Sequence, residues 1–562
     1  MSAPDLRAAP FHLDDSAVGW VEATLAGMSV GQKVGQIMCV YLLGDDVDAW
    51  RANLARHGIE PGGILMTMRT PEAALRDSRR LQEASAVPML VAGNLESGTV
   101  NFLAGTQAFA NPMQLGATRD PAHARRLAVH CARAADASGV NWAFAPVIDL
   151  TVNPRNPITN TRAFGRDPEL VSDLGTAYIR ELEERGIPTS PKHFPGDGVD
   201  DRDQHLCTTN NDFGVEEWWD QYGLVYARAI EAGARTVMVG HIRQRALSEL
   251  ELGPLDPGDV MPASLAPELI EGVLRAGLGF NGLVVTDNTA MAAFTTVMPR
   301  AQGIVRAVVA GNDMLLGNVD VVRDFDALVA AVDDGSLPLS RLDDAVRRVL
   351  ATKASVGLHR RWDRAGRHTP DPVEEDGWRR DAARAAVTVT KNTAGILPLA
   401  ATPGTRVLLY TVGDEPTFYD PTPSLSARFV DGLRARGAEV EVRPIPGSGT
   451  TIPEADRLHE RFDLCIYYAD LRFVGNTNGV RVHWTPAQGP DLPRHVATLP
   501  TVLVSIADPY LLQDVPMIRA AINAYTPGPA AVDAALEALY GEIEPQGVAP
   551  ADPFAGKWDA AV

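Results

Sequence analysis

The sequence predicts an α/β protein, with an N-terminal (β/α)8 TIM-type barrel followed by a smaller open α/β sandwich domain. Three observations predict it. Eight short apolar runs bounded by Gly, Pro or Asp recur through the first 320 residues, separated by longer helical patterns. A polar stretch without strand character, "HRRWDRAGRHTPDPVEEDGWRRD", then interrupts the alternation. Beyond it four more apolar runs alternate with helices. The boundaries these changes suggest are a barrel over 1–355, a linker over 356–387 and a second domain over 388–562.

The eight runs are "GQIMCVYLL" (35–43), "GGILMT" (62–67), "PMLVAG" (88–93), "NWAFAPVID" (141–149), "IPTSPKHF" (187–194), "RTVMVGHI" (235–242), "NGLVVTDN" (281–288) and "NDMLLG" (312–317). Helical stretches such as "PAHARRLAVHCARAADASG", "PELVSDLGTAYIRELEERG" and "PASLAPELIEGVLRAGLG" lie between them. Several carry Pro near the first turn and end in Gly, as helix boundaries prefer. Strands alternating with helices imply a parallel sheet, and eight such units in this length fit a barrel. A doubly wound sheet would want a Gly-rich phosphate turn after its first strand, and "YLLGDDVDAW" has none. In the second region "TRVLLYTVG", "AEVEVRPIP", "FDLCIYYAD" and "TVLVSIADP" read as buried strands, with "SARFVDGLRARG" and "AAVDAALEALYG" as helices.

Composition narrows the function. A chain of 562 residues with 45% hydrophobic and 22% charged residues is an ordinary globular protein of more than one domain. Its formal net charge of -20 argues against nucleic acid or an anionic membrane as partner. Cys39, Cys131, Cys207 and Cys465 lie far apart without zinc-type spacing, which suits free thiols in a reducing compartment. The N-terminus lacks the basic and apolar regions of a signal peptide, and no apolar run has the length of a membrane span. A cytoplasmic, soluble protein is expected.

Barrel enzymes carry their chemistry at the C-terminal ends of the strands. Here strand three runs into "NLESG" with Asn94 and Glu96, and strand four ends on Asp149. Strand five ends on Lys192 and His193, strand six on His241, strand seven on Asp287 and Asn288. Polar groups converging from five strand ends mark a site. Asp287 leaves an apolar strand, where a fixed carboxylate serves as nucleophile or base; the competing reading is a helix N-cap. The loop "KHFPGDGVDDRDQH" (192–205) sets Asp203 two residues from His205, so both side chains are able to face the same way. A carboxylate beside an imidazole fixes its tautomer and makes an acid–base group. The alternatives are a solvated acidic loop, or a metal site built from His193, His205, Asp203 and Asp197, whose spacings match no compact ligand motif.

These residues resemble glycoside hydrolase family 3, in its bacterial β-N-acetylglucosaminidase branch. "KHFPGDGVDDRDQH" is similar to the family's K-H-F-P-G-H-G-x4-D-S-H element and "NTRAFGRDP" (160–168) to its N-x-R-S-F-G-x-D-P segment. "FAPVIDL" (144–150) and "GLVVTDN" (282–288) resemble its strand-four and nucleophile motifs, and "VTVTKNTAGILPL" (387–399) the opening of the second domain in two-domain members. The resemblance implies a retaining exo-glycosidase that cleaves terminal N-acetylglucosamine through a covalent glycosyl-enzyme. Asp287 would be its nucleophile and His205, oriented by Asp203, its acid/base. Arg162, Lys192 and His193 would hold the sugar, with Asn94, Glu96, Asp149 and His241 as further binding candidates. It implies a small-molecule glycoside as partner, no metal and no organic cofactor. A neutral imidazole does not repel phosphate as a carboxylate would, so inorganic phosphate is a candidate co-substrate and the enzyme a candidate phosphorylase.

The sequence departs from the family pattern at Asp197, where the family has His, and at Asn94 and Thr99, where its D-x-E-G-G-R has Asp and Arg. Asp197 stands near the acid–base loop, whereas Asn94 and Thr99 bear on the sugar's far hydroxyls and open specificity towards β-glucosides. A metal-dependent barrel hydrolase would want an His-x-His after strand one, and "CVYLLGDD" has none. A non-catalytic sugar-binding protein would require neither Asp287 nor the Asp203–His205 pair. Substrate-assisted chemistry would want adjacent Asp-Glu at a strand end. The long loop "LRFVGNTNGVRVHWTPAQGPDLP" (471–493) reads either as a cover for the barrel mouth or as a surface or dimer segment. The sequence specifies no oligomeric state.

Overall fold

The apolar runs of the first 320 residues become short parallel strands. The computed structural model describes residues 3–360, 363, 366–400, 402–414, 424–472, 475, 479–486 and 488–562. In chain order its first strands are β1 (Met38–Tyr41), β2 (Gly63–Leu65), β3 (Leu90–Gly93), β4 (Trp142–Ala143), β5 (Thr209–Asn210), β6 (Thr236–Val239), β7 (Ile242–Arg243), β8 (Leu283–Thr286) and β9 (Leu315–Leu316). One sheet has the order β4-β3-β2-β1-β9, and β6 pairs with β8. These pairings are parallel, as helical crossovers between strands require. The small β5–β7 pair was not among the expected strands.

The fifth expected strand is different. Residues 187–194 form no regular strand; single parallel bridges join Ala143 to Thr189, Val147 to Lys192 and Phe194 to Val239. Pro188, Pro191 and Pro195 each lack an N–H, so a continuous ladder is not available here. A further bridge, Val285 to Met314, links β8 to the residue before β9. Cys39, Leu65, Leu90, Ala92, Trp142, Met238, Leu283, Val285 and Leu316, drawn from seven strands, form one buried cluster. Their near-complete burial explains why these strands read as continuous apolar runs.

A second sheet is built from β10 (Thr388–Asn392), β11 (Arg406–Val412), β12 (Glu439–Ile445), β13 (Leu464–Ala469), β14 (Thr501–Ser505) and β15 (Ala520–Asn523), in the order β10-β15-β14-β13-β11-β12. Only β10 runs antiparallel to its neighbour. Alternate residues serve opposite faces. Val407, Leu409, Ile466 and Tyr468 pack with the helices Ser426–Ala435 and Pro529–Leu539, whereas Leu408, Tyr410, Cys465 and Tyr467 join a separate cluster on the other side.

The chain divides into two compact units, and neither is continuous. The first holds 1–106, 124–150 and 171–370; the second holds 107–123, 151–170 and 371–562. The polar stretch after 358 contributes the helix Pro372–Ala386 to the second unit. Residues 361, 362, 364 and 365 of that stretch, and 473, 474, 476–478 and 487 of the 471–493 loop, lie outside the described residues. Among the described residues no helix is long and apolar enough to cross a membrane, and the four cysteines are free.

Candidate active site

Asp287 follows β8, and its backbone N–H donates to the Val239 carbonyl of β6 (2.8 Å). Its carboxylate therefore leaves from a fixed strand end, 15% exposed. Oδ1 accepts from the N–H of Asn288 (2.6 Å), and Oδ2 stands 3.8 Å from His193 Nε2. Burial opposes ionisation of this carboxyl, but attraction to the imidazoles of His193, His241 and His205 and the Asn288 N–H hold its pKa below the ordinary 3.8. A carboxylate kept anionic at a strand end is available as a nucleophile.

His193 is aimed by Asp149. The Asp149 carboxylate is fully buried and accepts from His193 Nδ1 (2.7 Å), His193 N (3.0 Å) and Asp197 N (2.8 Å). With Nδ1 committed, His193 presents Nε2 towards Asp287. The Asp149 oxygens are thus engaged by backbone and imidazole, and they brace His193. Lys192, its neighbour, pairs with Glu96 (2.6 Å) and reaches Asn94 Oδ1 (3.4 Å), so the "NLESG" turn and the fifth strand end form one polar cluster. The Lys192–His193 and Phe194–Pro195 peptide bonds are cis.

The loop after His193 is anchored by its own aromatic wall. Trp218 Nε1 donates to the Pro195 carbonyl (2.8 Å), Asn211 Nδ2 to that of Gly196 (3.0 Å) and the Tyr222 hydroxyl to that of Asp197 (2.5 Å). Gly196 has φ +119°, and a Cβ there would lie 2.1 Å from Tyr222 Cδ1, so only glycine fits. Asp203 and His205 meet as expected. Asp203 Oδ1 accepts from His205 Nδ1 and His205 N, both at 2.7 Å. The carboxylate is fully buried while the imidazole is 29% exposed, leaving Nε2 on the accessible side. His205 is also tied to the nucleophile's neighbourhood, because its carbonyl accepts from Ala292 N (3.1 Å).

His241 is held by the protein through both ring nitrogens. It is fully buried, with Nε2 donating to the Asn288 carbonyl (3.1 Å) and Nδ1 facing Ser264 Oγ (2.8 Å). Through Nε2 it bonds the backbone beside Asp287. Burial, the largest influence, pushes its pKa below 6.5. Arg162 lies in the second unit, at the end of the 3-10 turn Asn160–Arg162, where its guanidinium donates to the Ile158 carbonyl (3.3 Å). Thr99 is buried and its carbonyl accepts from Phe102 and Leu103 N–H groups.

Sequence reasoning missed Gln204, Ser264 and Tyr222. Gln204 carried a signal, since it stands between the two members of the dyad; the other two are distant in sequence and carried none. Among the described residues, no group of three or more His, Cys, Asp or Glu side chains is arranged to hold a metal ion.

Residues 29–352 match the family described as glycosyl hydrolase family 3 N terminal domain. The chain is 40% identical to a beta-N-acetylglucosaminidase/beta-glucosidase of Cellulomonas fimi over 99% of both sequences. Among solved structures it resembles the beta-glucoside phosphorylase BglX (35% identity, TM-score 0.91, 99% of each chain). It also resembles a glycoside hydrolase family 3 beta-N-acetylglucosaminidase from Paenibacillus sp. str. FPU-7 (26% identity, TM-score 0.78, 93% of this chain and 99% of that one).

Proposed function

The chain belongs to glycoside hydrolase family 3, and on that premise we propose that it is a retaining exo-β-N-acetylglucosaminidase that releases terminal N-acetylglucosamine from small glycosides in the cytoplasm. The first unit is assigned as a closed (β/α)8 barrel. The bridges from β4 through residues 189–194 to β6, and from β8 to β9, support closure. The catalytic domain is assigned to 1–355 and the C-terminal domain to 388–562.

The observation that carries the reading is the Asp203–His205 dyad, a half-open imidazole bonded at 2.7 Å to a buried carboxylate. Asp287 attacks the anomeric carbon as the bond to the leaving oxygen breaks, and His205 Nε2 gives that oxygen its proton. The covalent glycosyl-enzyme then keeps C1 on Asp287. In the second step neutral His205 takes a proton from water, whose oxygen displaces Asp287 and restores the original configuration. Lys192, His193, Glu96 and Asn94 bind the sugar, and His193 also faces the nucleophile through Nε2. Arg162 keeps the assignment to the sugar that its N-T-R segment implies, on the sequence alone.

A second reading is favoured by the same dyad. Once deprotonated, His205 is uncharged, so it does not repel phosphate from the glycosyl-enzyme as a carboxylate would. Phosphate attack would release a sugar 1-phosphate, in keeping with the name of the phosphorylase that this chain resembles. One experiment tests both readings: turnover of a chromogenic β-N-acetylglucosaminide and of a β-glucoside, with and without phosphate, and identification of the sugar released. Free N-acetylglucosamine independent of phosphate supports the hydrolase. Phosphate-stimulated release of a sugar 1-phosphate supports the phosphorylase, and no turnover of either glycoside contradicts both.

A further inference from the structure

Two departures from the family pattern touch each other. In K-H-F-P-G-H-G-x4-D-S-H, this chain has Asp197 for the second His and Gln204 for the Ser between Asp and His. Gln204 Nε2 donates to Asp197 Oδ2 at 3.1 Å. The other end of the amide, Oε1, accepts from His241 N at 3.3 Å. Gln204 is fully buried and Asp197 is 2% exposed. Gly240 lies against the amide, since a Cβ there would come 3.2 Å from Oε1.

Both anchors of that amide belong to the fixed part of the site. Asp197 is held through its N–H by Asp149, the residue that also aims His193, and its Oδ1 accepts from Gly198 N (2.7 Å). His241 is held through its ring by Ser264 and the Asn288 carbonyl, next to Asp287. Gln204 itself lies between Asp203 and His205. Gln204 and His205 lie together in a tight turn that Leu206 N and Cys207 N close on the Asp203 carbonyl (2.9 and 3.1 Å), so anchoring the Gln204 side chain fixes the turn that carries the dyad. A serine at this position has one hydroxyl close to the backbone, and its reach is too short for both partners. A histidine at 197 would offer a different atom at a different place.

We propose that Asp197 and Gln204 act as a matched pair of positioning residues, which fixes the acid–base dyad relative to Asp287 in place of the family's His and Ser. The inference rests on the assignment of His205 as the acid and deepens it. Two consequences separate positioning from mere structural support. A misplaced acid slows departure of a poor leaving group much more than that of an activated one, which needs little protonation. A matched pair is also interdependent: restoring both family residues repairs what either alone damages.

The test compares an activated and a poor aryl leaving group on the same β-N-acetylglucosaminide, for Gln204→Ser, Asp197→His, the double variant and His205→Ala. Gln204→Met, of similar volume and without hydrogen-bonding groups, is read alongside in case Gln204→Ser does not fold. His205→Ala sets the scale, since a general acid supplies about 10²–10⁴-fold. The expected result is a loss of about 10- to 100-fold in kcat/KM for the poor leaving group in each single variant, with less than about threefold for the activated one. The double variant is expected to recover at least about fivefold over either single. Equal losses on both substrates, or single losses that simply multiply in the double variant, would overturn the proposal while His205→Ala retained its steep leaving-group dependence. Should His205→Ala show no such dependence, the acid assignment itself falls, and this inference with it.

Discussion

Asp287 sits where two opposing influences meet, and the balance sets its protonation state. Burial favours the neutral acid; three imidazoles and a backbone N–H favour the anion, and they prevail. The acidic limb of kcat/KM attributable to Asp287 therefore lies below pH 3.8, and a pH–rate profile down to that range checks it. The same sign applies to stability. A depressed carboxyl pKa contributes stability above 3.8 that is lost as pH falls through the folded value. Asp287→Ala is expected to lower turnover at least about 10³-fold, and Asp203→Asn about 10²–10⁴-fold with KM little changed, both measured on a poor leaving group. Asp203 and His205 were legible because two residues of separation is a local relation, and Asp287 because an apolar strand delivered it. Asp149 and His241 were placed at strand ends, where their carboxylate and ring contacts in this structure are with protein groups. Whether a strand-end side chain faces ligand or protein depends on partners such as Asp197 N and Ser264 Oγ, which the local sequence does not reveal.

At the level of elements, the segment 187–205 combines irregular backbone with tight anchoring. Its prolines break the ladder, so single bridges and side-chain donors from the helical stretch 215–231 hold it. That stretch includes the π-helical turn Trp219–Gly223, which carries Tyr222. Gly196→Ala would force a left-handed residue into the Tyr222 ring, so a loss of about 2–4 kcal/mol in urea unfolding is expected. Tyr222→Phe removes one buried hydrogen bond to the Asp197 carbonyl and is expected to cost about 1 kcal/mol by the same measurement. Seven of the eight predicted strands of the first 320 residues are present. The fifth was marked by apolar residues, but its two prolines and the Pro195 that follows it, equally visible, already argued against a regular ladder. In the second sheet β15 went unpredicted: "AAIN" is short, small in side chain and followed by turn residues, although it is fully paired between β10 and β14.

For the molecule as a whole, the second compact unit takes in segments that sequence boundaries cannot anticipate, since 107–123 and 151–170 carry no compositional break yet group with the C-terminal residues. One interaction inside the second unit illustrates what such grouping does to stability. Asp508, fully encased, is pushed up by burial to about 7, against the Asn160 side-chain donor at 2.7 Å and the Tyr510 N–H. A raised carboxyl pKa contributes stability that is complete below 3.8 and is lost as pH rises through about 7. Relative to Asp508→Asn, the native protein should therefore lose up to about 2 kcal/mol between about pH 5 and pH 8 in urea unfolding. A constant difference would mean that Asp508 does not titrate in this window. The central claim, that Asp287 carries the sugar covalently, is tested most directly by intact mass and peptide mapping after incubation with a fluorinated glycosyl donor that slows the second step. One added glycosyl unit on the peptide containing Asp287, absent in Asp287→Ala, is the expected result. Turnover without an adduct and with inverted product, or an adduct on another residue, would contradict it.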